Sequence, residues 1–265
     1  MFLLTKKNEN NIIVEQLFNR DIISLEKEKN TMDSLLMETA LLNYGSPQIQ
    51  GLIKGKKWKD LAERERILAI YNYVRDDILF GYNTFDNISA ASVLNDGYGQ
   101  CNTKGTLFMA LLRAVGIPCR MHGFYIDKIL QKGAMKSFYY KLSPKDILHS
   151  WVEIFYKGKW LNLEGFILDI KYLNMLQEKF YNRNGSFCGY GVAIDDFKNP
   201  PIEWKENDTY IQKDGITKDL GLFDSPDLLF SLYVQKVGRF KKTLFKYFVR
   251  HLMNRNIRKI RANVK

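Results

Sequence analysis

Residues 149–166 read HSWVEIFYKGKWLNLEGF, two apolar, aromatic-rich runs on either side of Lys157-Gly158. Runs of this composition form strands, and a two-residue turn containing glycine joins antiparallel ones. With Tyr156 set opposite Lys159, opposed residue numbers sum to 315, so His149 faces Phe166 and Trp151 faces Glu164. His149 and Glu164 become diagonal neighbours on one face of the ribbon, at the ~7–8 Å backbone spacing that long side chains bridge. A carboxylate placed there accepts an imidazole N–H. A three-residue loop with a glycine bulge would shift the sum by one and send Glu164 to the opposite face. Asn162, which the two-residue turn puts on the His149 face farther along, and Asp169 are the alternative orienting groups.

Upstream, Leu107, Ala110, Leu111, Ala114 and Val115 recur at helical spacing behind Cys101, and Gly116-Ile117-Pro118 stops the helix. Cys101 therefore opens a helix. The stretch before it, GYNTFDNISAASVLNDGYGQC, is glycine- and polar-rich and reads as loop with one turn of helix. Earlier segments, Asn11 to Leu25, Thr31 to Leu42 and Leu61 to Ile78, carry apolar residues at three- and four-residue spacing and read as helices. CRMHGFYI (119–126) reads as a strand, Ile170 to Phe180 as a helix, and Asn182 to Pro226 as a long irregular region. Helices first and consecutive antiparallel strands after them give an α+β fold.

At 265 residues, 46% apolar and 26% charged, the chain buries a sizeable core, which excludes disordered and fibrous classes. Three cysteines make a disulfide framework a poor reading and the cytoplasm the expected compartment. The first residues lack the pattern of a secretory signal, and no apolar run reaches the ~20 residues of a membrane span. The net charge of +11 lies in one place: residues 236–265 hold eleven Lys or Arg and no Asp or Glu, and positions 1–235 balance at 29 of each sign. The expected organisation is one domain over 1–235, with its core at about 60–170, and a basic amphipathic helix over 236–265. Phe240, Leu244, Phe248 and Leu252 form the apolar stripe of that helix, joined by Phe245, Val249, Ile257 and Ile260. The stripe is expected to dock on the body; a cationic face can also meet an acidic partner, nucleic acid or an anionic membrane surface.

A thiol nucleophile needs a basic partner, and a helix amino terminus stabilises its thiolate. Of Cys101, Cys119 and Cys188, only Cys101 has the helix; Cys119 starts an apolar strand and Cys188 sits among glycines. Tyr98 and Gln100, beside the nucleophile, are candidates for shaping an oxyanion site or its cleft. No Cys or His pair has zinc-ligand spacing, the oxygens of Asp214 to Asp227 fail the calcium-loop pattern, and no cofactor motif is present, so neither metal nor cofactor is expected.

Four ordered motifs, YGQC at 98–101, LLRAVGIPCR at 111–120, HSWVEI at 149–154 and WLNLE at 160–164, resemble the transglutaminase-like core of papain-type enzymes. The resemblance covers roughly residues 60 to 170. It implies a papain-like fold, with the nucleophile at a helix N-terminus packed on an antiparallel sheet. It also implies a Cys-His-acid triad, carried here by Cys101, His149 and Glu164, with glutamate in a position where the family has aspartate. The implied chemistry is acyl transfer from a peptide or other amide through a thioester on Cys101. A catalytically inactive binding module that uses the basic tail is the rival reading. Asn102 stands where animal crosslinking enzymes have tryptophan, which sets the chain apart from them. Oligomeric state is open.

Overall fold

The computed structural model describes residues 32–135, 140–141, 143–233, 238 and 243–263. The helix expected over 11–25 lies outside the described residues. Of the one expected over 31–42, residues 32–34 are helical and 35–42 are not. There the Thr39 hydroxyl donates to Asp227 and accepts the Leu42 N–H, while Asp227 also accepts the Leu41 N–H. Side-chain bonds of this kind compete with the helical ladder.

Helices α1 (Pro47–Lys56) and α2 (Glu63–Asp76) lead to a short strand β1 (Leu79–Phe80), then α3 (Ala90–Asp96) and β2 (Tyr98–Gly99). β1 and β2 pair in parallel, Leu79 with Tyr98 and Phe80 with Gly99. The stretch read as loop thus carries two full turns of helix, capped by the Ser89 hydroxyl. Helix α4 (Cys101–Ala114) follows at once and is buried along its whole length from Cys101 to Arg113. Gly116, at φ 85°, ends it as expected.

The main sheet contains β3 (Cys119–Asp127), β4 (Asp146–Tyr156) and β5 (Lys159–Leu163). Helix α5 (Ile170–Lys179) and a short hairpin, β6 (Phe187–Gly189) with β7 (Val192–Ile194), come before the fourth strand, β8 (Ile216–Phe223). The sheet is antiparallel in the order β5-β4-β3-β8, so the fold is α+β. Lys157 and Gly158 both have positive φ, 49° and 77°, the geometry of a two-residue hairpin turn. Val152 pairs with Leu163 and Tyr156 with Lys159, so the sum of 315 holds. Strand β8 and the β6–β7 hairpin correct the irregular reading of 182–226. Their short runs, broken by glycines and charges, give a weak period-two signal, and β8 gains its regularity by pairing with β3.

Helix α4 packs across β3 and β4. Gly105 makes that approach close: a Cβ there would lie 3.4 Å from Met121 and 3.7 Å from Val152. After α6 (Pro226–Leu232), a π-helical turn over Phe245–Val249 leads into α7 (Arg250–Arg261). This last helix rests on the body, but its buried stripe is Val249, Met253, Ile257 and Ile260. Phe248 is 62% exposed, Leu244 and Leu252 are half-buried, and Phe240 lies outside the described residues. Val249, Ile257 and Ile260 of the expected stripe are thus buried, while the π turn, which adds a residue to the helical repeat, turns Phe248 outward.

Candidate active site

Cys101 is the first residue of α4, and the preceding residue caps the helix. The Gln100 side-chain oxygen accepts the Asn102 N–H at 2.7 Å, and the Thr103 hydroxyl accepts the Gln100 N–H at 3.0 Å. The same Gln100 oxygen accepts the Cys101 thiol at 3.0 Å, and its amide nitrogen donates to Asp86. Burial raises the pKa of Asp86 to about 6, with the amides of Asn102 and Gln100 working against the rise. The orphan N–H groups of a helix start and its dipole favour negative charge at this end.

His149, on β4, and Glu164, one residue past β5, are both fully buried. The His149 Nε2–H donates to Glu164 Oε1 at 2.8 Å. The second carboxylate oxygen, Oε2, accepts the backbone N–H groups of Ile211 and Gln212, each at 2.9 Å. Glu164 is further fixed through its own N–H, which donates to the Thr209 carbonyl at 3.0 Å. His149 Nδ1 has no hydrogen-bond partner, and Cys101 is close enough to act on the ring. Burial opposes the imidazolium, but the charge of the nearby Cys101, followed by Glu164, outweighs it and raises the His149 pKa.

The cysteine and histidine are held in place by Asn102. Its side chain donates to the Leu148 carbonyl at 3.1 Å and accepts the Ser150 hydroxyl at 2.9 Å, gripping β4 on both sides of His149. This buried bridge was not legible in sequence, where Asn102 is one asparagine among many. The Ile211 and Gln212 donors were also hidden, because backbone N–H groups carry no side-chain signature. The signal for Gln100 was its place just before a helix start.

Other candidates lie elsewhere. Tyr98 does not reach the Cys101 cavity; its ring packs on Gly81 and its hydroxyl accepts Arg250 at 3.4 Å. Gln100 lines the cavity beside Cys101 and caps α4, and one N–H of its side-chain amide is held by Asp86. Asn162 pairs with Asp208, and Asp169 caps α5 and binds Arg261, so neither orients His149. Cys119 is buried, which pushes its thiol up to about 11, and Cys188 is exposed on β6. His122 bonds Glu153 and Asp219, away from Cys101. Among the described residues, no group of three His, Cys, Asp or Glu is arranged to hold a metal. No helix among them is long and apolar enough to cross a membrane.

Cys101, 8% exposed, opens onto a cavity of about 620 Å³. Asn83, Asp86, Gln100 and Asn102 line it near the sulfur, and the C-terminal segment forms part of its wall through Leu244, Phe245 and Val249.

A buried acid-imidazole pair facing a cysteine at a helix start is the arrangement that the sequence motifs share with a known family, whose model matches this chain over the same motifs. Residues 52–165 match the Transglutaminase-like superfamily. The matched stretch runs from α1 to just past Glu164. Two solved structures are similar to the chain. One is a "Putative Cysteine Protease from Cytophaga hutchinsonii", at 13% identity and TM-score 0.39, covering 74% of this chain and 48% of its own. The other is a "putative protease from Parabacteroides distasonis", at 15% identity and TM-score 0.33, covering 49% of this chain and 26% of its own. The chain therefore spans about half of the first and a quarter of the second. No curated protein matches it.

Proposed function

We propose that the protein is a cysteine-dependent amide hydrolase working through a thioester on Cys101. The observation that carries this reading is the fully buried 2.8 Å bond between His149 Nε2 and Glu164 Oε1, with the other ring nitrogen unpartnered beside a cysteine at a helix start. Glu164 fixes the tautomer and orientation of the imidazole, and the raised pKa of His149 favours an imidazolium next to a thiolate. The thiolate adds to the amide carbonyl. As the C–N bond breaks, the imidazolium gives its proton to the leaving nitrogen. His149 then takes a proton from water, hydroxide adds to the thioester, and cleavage of the C–S bond returns the thiolate and imidazolium.

Iodoacetamide near neutral pH tests the reading. Stoichiometric labelling of one cysteine, mapped to Cys101 and absent in Cys101→Ala, is the expected result. Slow and uniform labelling of all three cysteines would overturn it in favour of a binding module that keeps the fold.

A further inference from the structure

We propose that the acyl group transferred to Cys101 is a long apolar chain, and that the cavity beside the sulfur is its seat; this rests on the thioester chemistry above. The cavity is two-sided. Four of its polar side chains gather at the start of α4, Gln100 and Asp86 by a direct bond, Asn83 through the Thr103 hydroxyl at 2.6 Å, and Asn102 as the residue after the nucleophile; Thr84, Asn87, Gln131 and Ser143 lie elsewhere in the lining. The remaining wall is built largely from Ile126, Leu130, Met135, Ile147, Leu244 and Phe245. A volume of about 620 Å³ is in the range of whole-ligand sites and far larger than one peptide side chain needs. A peptide filling it would bring backbone N–H and C=O groups that require partners, and these six side chains offer none. An alkyl chain asks for nothing but apolar surface.

The polar end completes the fit. Gln212 lines the cavity, its N–H holds Glu164, and its buried Oε1 has no hydrogen-bond partner. An amide substrate carries one N–H to give, and Gln212 Oε1 is an acceptor left open beside the triad. At the rim, the Lys246 ammonium lies 5.7 Å from the ring centroid of Phe85, a half-exposed lining residue. An anionic group on a bound substrate that reaches Phe85 would meet that cation. The substrate class is therefore an acylated amine with a long chain and an anionic head.

The test uses the full chain and a series of N-alkyl iodoacetamides from methyl to dodecyl, with glutathione as the reference thiol. Each buried methylene can strengthen binding by at most about fourfold, so the dodecyl-to-methyl rate ratio for Cys101 should exceed that of glutathione by roughly tenfold or more. N-dodecanoylglycine should protect Cys101 from iodoacetamide, and N-acetylglycine at equal concentration should not. Ile147→Trp, which fills the cavity, and Phe245→Asp, which charges its wall, should each bring the ratio down toward the glutathione value. Fast labelling of Cys101 with no chain-length preference would overturn the proposal and leave the hydrolase reading standing. A Cys101 no faster than glutathione with every reagent would remove the hydrolase reading and the proposal with it.

Discussion

Both oxygens of Glu164 are engaged: one takes the His149 Nε2–H and the other takes two backbone N–H groups. A glutamine at 164 would have to point its amide N–H groups at one of those donor sets. Glu164→Gln should therefore cost about 1–3 kcal/mol of stability, the penalty of a buried unsatisfied group, and lower the rate of acyl-enzyme formation by about 10²-fold or more. Denaturant unfolding and single-turnover acylation measure the two effects. Glu164→Asp keeps the charge and should retain more activity than the glutamine variant; equal loss in both would show that reach, and not charge, is what the position supplies. The pH profile follows from the same residue pair. Because the His149 pKa is raised above its ordinary ~6.5, the imidazolium persists at neutral pH, and the rate of acylation by an amide should fall only as pH rises through that raised value. A profile of acylation in which the proton-donating limb is already lost at pH 7 would contradict the ion pair.

Among the elements, the hairpin was legible because Lys157-Gly158 admits few turns, and one turn type fixes every pairing from Val152–Leu163 to Tyr156–Lys159. Helix α4 was legible because apolar spacing behind Cys101 and Gly116-Ile117-Pro118 mark both its ends. Strand β8 was not, since its residues are mostly half-exposed or exposed and its order comes from β3. The segment leading into it was equally hidden, although Thr209, Ile211 and Gln212 position Glu164 from there. Two predictions belong at this scale. Gln100→Ala removes the cap of α4 and should cost about 1 kcal/mol, a fall of roughly 2–4 °C in Tm for a chain of this size. It should also speed Cys101 alkylation, because the capping oxygen accepts the S–H and so favours the neutral thiol; unchanged reactivity would reduce Gln100 to a cap alone. In the sheet, burial lowers the His122 pKa, but the bonds to Glu153 on β4 and Asp219 on β8 outweigh it and raise it. A raised histidine contributes stability that is fully present below its unfolded pKa of ~6.5 and lost as pH rises through the folded value. The stability advantage of the native chain over His122→Gln should accordingly shrink as pH rises from ~6.5 through the raised folded value. An advantage independent of pH would mean that the contacts are steric.

In the whole molecule, the charge tally marks off residues 236–265 as a basic tail, and the structure turns that tail's most buried charge inward. Arg261 binds Asp169 at 2.6 Å and the Phe80 carbonyl at 2.9 Å, in a site where both side chains are nearly excluded from solvent. Burial pushes the Asp169 carboxyl up, but the bonded guanidinium outweighs it and holds its pKa below the ordinary value. Asn254 clamps the neighbouring residue pair, accepting the Tyr82 N–H at 2.8 Å and donating to its carbonyl at 3.0 Å. Phe80 and Tyr82 line the cavity, so α7 holds the segment from Phe80 to Tyr82 on the cavity that Cys101 opens onto, while the turn before α7 forms another part of its wall. Removing residues 244–265 would expose the partners of Val249, Met253, Ile257 and Ile260, together on the order of 6–12 kcal/mol at about 1.5–3 kcal/mol for each side chain. That is comparable to the whole stability of a typical domain, about 5–15 kcal/mol. It would also strand the Asp169 carboxylate and the Tyr82 N–H without partners. The truncated chain should therefore lose its cooperative thermal transition. Arg261→Ala alone, which breaks a buried pair, should cost about 3–5 kcal/mol. The pH dependence separates the ion pair from packing: a depressed carboxylate stabilises above its unfolded pKa, and that contribution disappears as pH falls through the folded value. The stability advantage of the native chain over Arg261→Ala should thus shrink as pH falls through the depressed Asp169 value, whereas a packing effect would keep it constant. A truncated protein that melts together with the full-length one would show that α7 is an appendage and not part of the fold.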